Sequence, residues 1–382
     1  MKIIVPTTLL LAVLFSHGAT LPRLCSALVP YTLLHAADVH PHLKPAIDAL
    51  NSTAMATWYT DRSDDLVADL MVKCKDGSIP AIVIYGLPNK DCGDGGFSQA
   101  GGNTHAAAYA AWIQTLATTV GPDRDVIYVL EPDAIGLVAA GGCGVRHGYL
   151  ANLKRALGIL TATNAKARVY ADVAAWADVK PAIAALHDLQ TAGRLAGIAI
   201  NTANYMTTDA LHTKCQEFSD QTGGLHCLID TSRNYNALPG TQWCNPAGGG
   251  MGAPSTAETY NPLVDYHLWI KVPGDSDGEC SGKPGAMPNG PSAGTFFPDA
   301  FKALWNQGFF VQEKKLPPLG PASDGTRLAR ASPSVAPAAL SGGVDLWQQC
   351  GGKGFAGLTS CKPGSVCTYD HDYYSHCKPM KK

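Results

Sequence analysis

Several carboxylates in this sequence stand directly after short apolar runs. Val126-Ile127-Tyr128-Val129-Leu130 passes into Glu131-Pro132-Asp133, Ala81 to Leu87 precedes Asp91, and Arg168 to Ala171 precedes Asp172. Gly197 to Ile200 leads to Asn201 and Asn204, Cys227 to Ile229 to Asp230, and His267 to Ile270 to Lys271, Asp275 and Asp277. A carboxyl at the end of a buried strand, with a second carboxylate nearby, has its pKa raised and can hand over a proton near neutral pH. Asp133 is the best placed donor of this kind; Glu131, two residues earlier and on the same strand face, reads as structural.

The elements that must position these groups follow from the same pattern. Short β-branched runs between turn residues read as buried parallel strands, and in barrel-like folds reactive groups gather at their carboxyl ends. Between the runs lie helix-like stretches at Thr104 to Leu116, Leu150 to Leu160, Pro181 to Leu189 and Thr208 to Phe218. Pro181 suits a helix start, and Thr207, Thr208 and Asp209 offer a cap for the next helix. Strand and helix in alternation imply right-handed βαβ units. Six or seven such units predict an α/β fold, a distorted, incomplete parallel β/α barrel of TIM-like type, joined to a small disulfide-rich β module. No GxGxxG or GxxxxGK[ST] follows any run, so the sequence carries no nucleotide-binding signal.

The 382 residues carry a formal net charge of −2, which gives no general attraction to nucleic acid. Lys2, the apolar stretch from Ile3 to Phe15 and the small residues Gly18 and Ala19 predict a secretory leader over residues 1–19. The stretch is too short for a membrane span, so no membrane partner is expected after cleavage. Twelve cysteines fit an oxidising, extracellular destination, and none has zinc-ribbon spacing. No metal and no cofactor are therefore expected, and the chain reads as a monomer. Asp275-Ser276-Asp277-Gly278 does not make a calcium loop, because the EF-hand register puts Pro273 at the first ligand position. Asn51-Ser52-Thr53 is a glycosylation sequon, expected at the surface.

A Pro-, Ala-, Ser- and Gly-rich stretch predicts an extended linker over residues 314–343, between a body at 20–313 and a tail at 344–382. The tail reads Leu346-Trp347-Gln348-Gln349-Cys350-Gly351-Gly352, then Cys361, Cys367 and Asp372-Tyr373-Tyr374-Ser375-His376-Cys377. So few residues cannot build a sufficient core, so disulfides must constrain them, and four cysteines allow three connectivities. Trp347, Tyr373 and Tyr374 would then form a flat strip for the apolar faces of sugar rings. This segment resembles a fungal-type cellulose-binding module, family 1 of the carbohydrate-binding modules. The resemblance implies pairs Cys350 with Cys367 and Cys361 with Cys377, and gives Gln349 and His376 supporting roles; His376 stands where the family usually has Gln.

The body, over roughly residues 50 to 310, resembles glycoside hydrolase family 6, the inverting endoglucanases and cellobiohydrolases. The motifs are Tyr85-Gly86-Leu87-Pro88-Asn89-Lys90-Asp91-Cys92, Leu130-Glu131-Pro132-Asp133, Asn201-Thr202-Ala203-Asn204-Tyr205, Ile229-Asp230-Thr231-Ser232-Arg233-Asn234, Trp243-Cys244-Asn245-Pro246 and Trp269-Ile270-Lys271-Val272-Pro273-Gly274-Asp275-Ser276-Asp277-Gly278. The resemblance implies cellulose and soluble β-1,4-glucans as partners and Asp133 as general acid. It makes Asp91 the group that raises the pKa of Asp133, Asp277 the disputed base and Asp172 a further acid. Tyr85 would lie under the distorted sugar, while Trp58, Asn204, Trp243, Lys271 and Asp275 would line glucose subsites. Cys92 with Cys143 and Cys244 with Cys280 match the family's disulfides. Cys25 with Cys74, and Cys215 with Cys227, are an available pairing for the other four.

Two departures stand out. After Asp172 the family continues Ala-Gly-His-x-x-Trp, whereas this chain reads Val173-Ala174-Ala175-Trp176, two residues shorter and without the histidine; Asp275 replaces a common Glu. Asp230 and Arg233 fit a buried structural ion pair as well as substrate ligands, and are left outside the site. Cys280 follows Asp277 by three residues and Cys143 follows Asp133 by ten. Such short loops suit an open cleft and attack within chains, not a roofed tunnel.

Overall fold

The computed structural model describes residues 21–62, 65–93, 96–240, 242–320, 343–344, 349–351, 359–371 and 374–380. The expected leader, most of the expected linker, and Trp347 and Tyr373 lie outside the described residues, as do the side chains of Gln349, Tyr374 and His376.

Seven parallel strands form one curled sheet in chain order: β1 (Thr57–Thr60), β2 (Ala81–Tyr85), β3 (Val126–Leu130), β4 (Ala167–Asp172), β5 (Gly197–Ile200), β6 (His226–Asp230) and β7 (Val264–Leu268). The helices are α1 (Tyr31–Val39), α2 (Lys44–Ala49), α3 (Val67–Lys73), α4 (Ala106–Val120), α5 (Ala134–Ala139), α6 (Cys143–Arg146), α7 (Tyr149–Thr163), α8 (Val179–Gln190), α9 (Thr208–Gln221), α10 (Pro298–Asn306) and α11 (Phe309–Gln312). Alternation along each strand separates two cores. Ile82, Ile84, Val126, Tyr128 and Leu130 pack outward with Ile113, Leu116, Leu153 and Leu157 of α4 and α7. Val83, Ile127, Val129, Tyr170, Leu228 and Leu268 meet in a second, separate cluster.

The sheet nearly closes on itself. Among the described residues, one bridge, Met55 to Trp269, joins the two edges, with Ala56 N donating to Trp269 O at 2.9 Å. Every other neighbouring strand pair shares three to five register positions. A third core, in which Leu33 of α1, Leu43 and Ile47 at α2, and Phe301 and Trp305 of α10 pack with Trp269, covers this seam.

The strands and the longer helices fall where the periodicity placed them, with instructive differences. The expected strand at His267 to Ile270 begins earlier and ends at Leu268. Trp269 N donates instead to Ser255 Oγ at 2.8 Å and Ile270 N to Asp230 Oδ1 at 3.2 Å, so these donors leave the ladder. β1 is not signalled by an apolar run, because Thr-Trp-Tyr-Thr has no continuous β-branched stretch. Glu131 and Asp133 do not share a strand face: β3 ends at Leu130, and both residues adopt left-handed backbone, with φ of 52° and 65°. Thr207 is the N-cap of α9, and no side-chain bond caps it.

All twelve cysteines are paired. The body holds Cys25–Cys74, Cys92–Cys143, Cys215–Cys227 and Cys244–Cys280. The tail holds Cys350–Cys367 and Cys361–Cys377 around an antiparallel sheet of β8 (Gln349–Gly351), β10 (Tyr374–Pro379) and β9 (Ser365–His371), in that order. Among the described residues no helix is long and apolar enough to cross a membrane.

Candidate active site

The carboxyl ends of the strands open into a cleft of about 1770 Å³. Asp91, Asp133, Asp277, Tyr85, Trp58, Asn204, Trp243, Lys271 and Asp275 all line it, so the structure brings together residues spread over more than 200 positions of sequence. Asp172 does not open to the cleft; it is fully buried below Asp133. Backbone strain concentrates at the same rim. Asn89, Asp91, Glu131, Asp133, Ala174, Asn201 and Ala203 all have φ between 52° and 75°, a region that residues with a Cβ enter at a cost. Such conformations persist only where the surroundings over-determine them; here the buried Asp172 holds the N–H groups of Asp133 and Ala174, and the buried Asp230 that of Ala203.

Asp172 Oδ1 accepts both the Asp133 N–H and the Ala174 N–H at 2.9 Å, tying the start of α5 to the exit of β4. Glu131 is buried and accepts the Gly86 N–H at 3.0 Å and the Leu87 N–H at 3.2 Å, which fixes the exit of β2. Asp230 accepts from Ser232 N, Ala203 N, Ile270 N and Lys271 N at 2.9 to 3.2 Å, joining the exits of β5, β6 and β7. Lys90 and Asp61 form a buried ion pair at 2.6 Å; Lys90 Nζ also donates to Ala100 O, and Asp61 Oδ2 accepts from Asn103 N, anchoring the loop that carries Asp91. Gly86 permits this closeness. A Cβ there would lie 2.6 Å from the Trp112 ring and 3.0 Å from Asn103 Nδ2. Gly86→Ala is expected to cost about 1–3 kcal/mol of stability through overpacking, read from denaturant midpoints; an unchanged midpoint would contradict the packing argument.

The electrostatics divide the acids. Burial, then the negative charges of Asp172, Asp91 and Asp277, push Asp133 well above the usual carboxylate range, against one opposing donor, Trp176. Burial also raises Asp91, partly offset by the Ser98 N–H at 2.7 Å and by Arg62 and Lys90. Burial pushes Asp275 up to about 7 despite Lys271 nearby. Asp277 goes the other way. Its burial is outweighed by Arg233 at 2.9 Å, Lys271 at 3.5 Å and the Asn245 N–H at 3.0 Å, which hold it below the usual range. The expected Arg233 pair with Asp230 is thus replaced: backbone N–H groups fill the oxygens of Asp230, and Arg233 turns to Asp277. Its guanidinium also lies 4.3 Å from the Tyr205 ring centroid, and Tyr205 Oη donates to Asp277 at 3.3 Å.

Aromatic surfaces flank the acids. Tyr85 meets Trp58 edge to face at 5.5 Å, and Trp58 Nε1 is fixed to Ile270 O at 2.8 Å. Trp243 lies 6.4 Å from Phe97, with Lys283 over its ring. Sequence reasoning left out Arg233 and Tyr205, and gave no role to Trp176, whose indole is half exposed and donates to Asp133 Oδ1 at 3.2 Å. The shortened stretch after Asp172 was the available signal for it. Among the described residues the one metal-like grouping is Cys350, Cys361 and Cys377, whose sulfurs are engaged in disulfides.

A cleft at the carboxyl ends of a curled parallel sheet, with a raised carboxyl, a clamped carboxylate and edge-on and tilted aromatics, has the parts that a glycoside hydrolase requires. Residues 31–308 match glycosyl hydrolases family 6, and the chain belongs to that family. Residues 346–374 match the fungal cellulose binding domain. Endoglucanase 1 of Streptomyces sp. (strain KSM-9) is 40% identical over 263 residues, covering 65% of this chain and 72% of that protein. Endoglucanase A of Cellulomonas fimi is 37% identical over 210 residues, 55% of this chain; the match spans only 44% of that protein, and 46% of endoglucanase A of Thermobispora bispora. The endoglucanase Cel6 from Mycobacterium tuberculosis, solved with methyl-cellobiosyl-4-deoxy-4-thio-β-D-cellobioside, superposes with a TM-score of 0.66 at 28% identity over 76% of this chain and 98% of that one. Cellobiohydrolase II from Humicola insolens shares the fold, with a TM-score of 0.65 at 20% identity over 76% of this chain and 98% of that one.

Proposed function

We propose that the protein is a secreted endo-β-1,4-glucanase that hydrolyses internal bonds of cellulose and soluble β-1,4-glucans with inversion at the anomeric carbon. The observation that carries this reading is Asp133: a carboxyl kept protonated by burial and by Asp172, Asp91 and Asp277, in a cleft floored by aromatics. Asp133 gives its proton to the leaving glycosidic oxygen as an oxocarbenium-like transition state develops. Asp91 stabilises that positive charge and takes up the proton of the attacking water through a water relay. Asp277 has its oxygens filled by Arg233, Asn245 and Lys271 and a lowered pKa, which makes it a poor proton acceptor. In this reading it supplies negative charge to the site and does not act as a direct base. Trp58, Tyr85, Asn204, Trp243, Lys271 and Asp275 hold glucose units, and the tail, through Trp347, Gln349, Tyr373, Tyr374 and His376, keeps the enzyme on cellulose.

The short spacing from Asp277 to Cys280, closed by Cys244–Cys280, favours an open cleft and internal attack. On soluble carboxymethylcellulose the viscosity is expected to collapse while few reducing ends have appeared, and the first product on cello-oligosaccharides is expected as the α-anomer. Cellobiose accumulation with little loss of viscosity would replace endo with exo action. An initial β-anomer would rule out inversion, and no hydrolysis at all would leave a cellulose-binding protein.

A further inference from the structure

The stretch after Asp172 departs from the family pattern, and the structure gives it a definite geometry. Trp176 Nε1 donates to Asp133 Oδ1 at 3.2 Å although half of the side chain is exposed. Two independent features hold the pair together. Gly136, in the first turn of α5, has no side chain where the ring lies: a Cβ there would stand 2.9 and 3.2 Å from Trp176 Cη2 and Cζ2. The indole is therefore seated against the helix that begins at Asp133. Beneath it, Asp172 Oδ1 takes the N–H groups of both Asp133 and Ala174, fixing the acid's backbone to the backbone two residues before Trp176. Ala174 adopts φ of 57°, which folds the shortened stretch back toward α5. Acceptor and donor are thus placed by the same buried carboxylate.

An indole N–H donates and never accepts, and it has no proton to lend at any ordinary pH. Its contact therefore occupies Oδ1 of Asp133 and leaves Oδ2 to carry the acidic hydrogen. We propose that Trp176 is a positioning residue for Asp133: it selects the carboxyl oxygen that bears the proton and holds the carboxyl plane toward the cleft. This rests on the reading of Asp133 as the proton donor. The contact stabilises the carboxylate more than the neutral acid, so its loss makes Asp133 a weaker acid, and the alkaline limb of the activity profile moves upward.

The test compares Trp176→Phe, which keeps a ring against Gly136 and loses the N–H, with Trp176→Ala, on a soluble cello-oligosaccharide such as cellotetraose. A hydrogen bond to a charged group is worth enough for kcat of Trp176→Phe to fall roughly tenfold. KM is expected within about twofold of the parent, with the alkaline limb of kcat displaced upward by up to about one pH unit. Trp176→Ala is expected to show the same limb shift with KM raised as well. An unchanged kcat and limb in Trp176→Phe would overturn the proposal. So would a change confined to KM, which would make the ring a sugar platform only. Failure of the underlying reading is separately visible: an Asp133→Asn protein as active as the parent would remove the donor itself, and the proposal with it.

Discussion

Asp133→Asn is expected to abolish most turnover while making the protein more stable. General acids contribute about 10²- to 10⁴-fold, so kcat on cello-oligosaccharides should drop within that range, with cellulose binding unchanged. The stability arm follows from linkage. The folded pKa of Asp133 lies above that of an unfolded chain, because of burial and the charges of Asp172, Asp91 and Asp277. The folded state therefore binds more protons than the unfolded state between those two pKa values. Stability that is present in acid is lost as pH rises through the ordinary carboxylate range toward the folded pKa. Asparagine does not titrate, keeps an oxygen for Trp176 and tolerates the left-handed backbone that Asp133 adopts. Thermal melts should show the variant above the parent at pH 7, with the gap closing toward pH 4. Full activity would remove the acid assignment; a melting point below the parent's at pH 7 would contradict the burial argument.

Arg233→Met carries the largest expected loss of stability. Arg233 and Asp277 are both buried, and removing one partner of such a pair strands the other charge, at about 3–5 kcal/mol. The midpoint of thermal unfolding should fall on the order of 10 °C. The deficit should depend on pH in a stated direction. Asp277 is held below its unfolded pKa, so it contributes stability above that pKa that disappears as pH falls through the folded value. The variant's deficit is therefore greatest near neutrality and shrinks in acid. Adding Asp277→Asn to Arg233→Met removes the stranded charge and should recover part of the loss. A single variant within about 1 kcal/mol of the parent would show that Lys271 and Asn245 satisfy Asp277 alone.

How legible this was in the sequence varies with the kind of interaction. Val126 to Leu130 and Gly197 to Ile200 were readable to the residue because both faces of a parallel strand are buried and turn residues close each run. Convergence of strand ends made Asp91, Asp133 and Asp277 readable, whereas Trp58 and Trp243, one inside a strand and the other in a long loop, were readable only through the family resemblance. The partners of the carboxylates were not. Whether Arg233 faces Asp230 or Asp277 depends on which oxygens the backbone N–H groups have already filled, and only the folded exits of β5, β6 and β7 decide that. Trp176 escaped for a related reason: a deletion shows which residue is missing, whereas the new contact depends on a left-handed turn at Ala174 and on the empty space at Gly136.

The join between the two edges of the sheet has a mechanical consequence. Six ladders of several rungs join neighbouring strands, whereas the Met55–Trp269 join has one described rung, supplemented by the Ser255 hydroxyl, which donates to Ala54 O and accepts from Trp269 N, and by the Trp58 indole. Compliance concentrates where bonds are fewest. At this join the backbone contributes little, so closure of the sheet rests on side chains: the Trp58 indole reaches across to Ile270 O at 2.8 Å, and Trp269 is buried among Leu33, Phe301 and Trp305. Slack in the shell would therefore be felt first at the Trp58 and Lys271 edge of the cleft, while the strand exits that carry Asp91 and Asp133 stay braced by ladders on both sides.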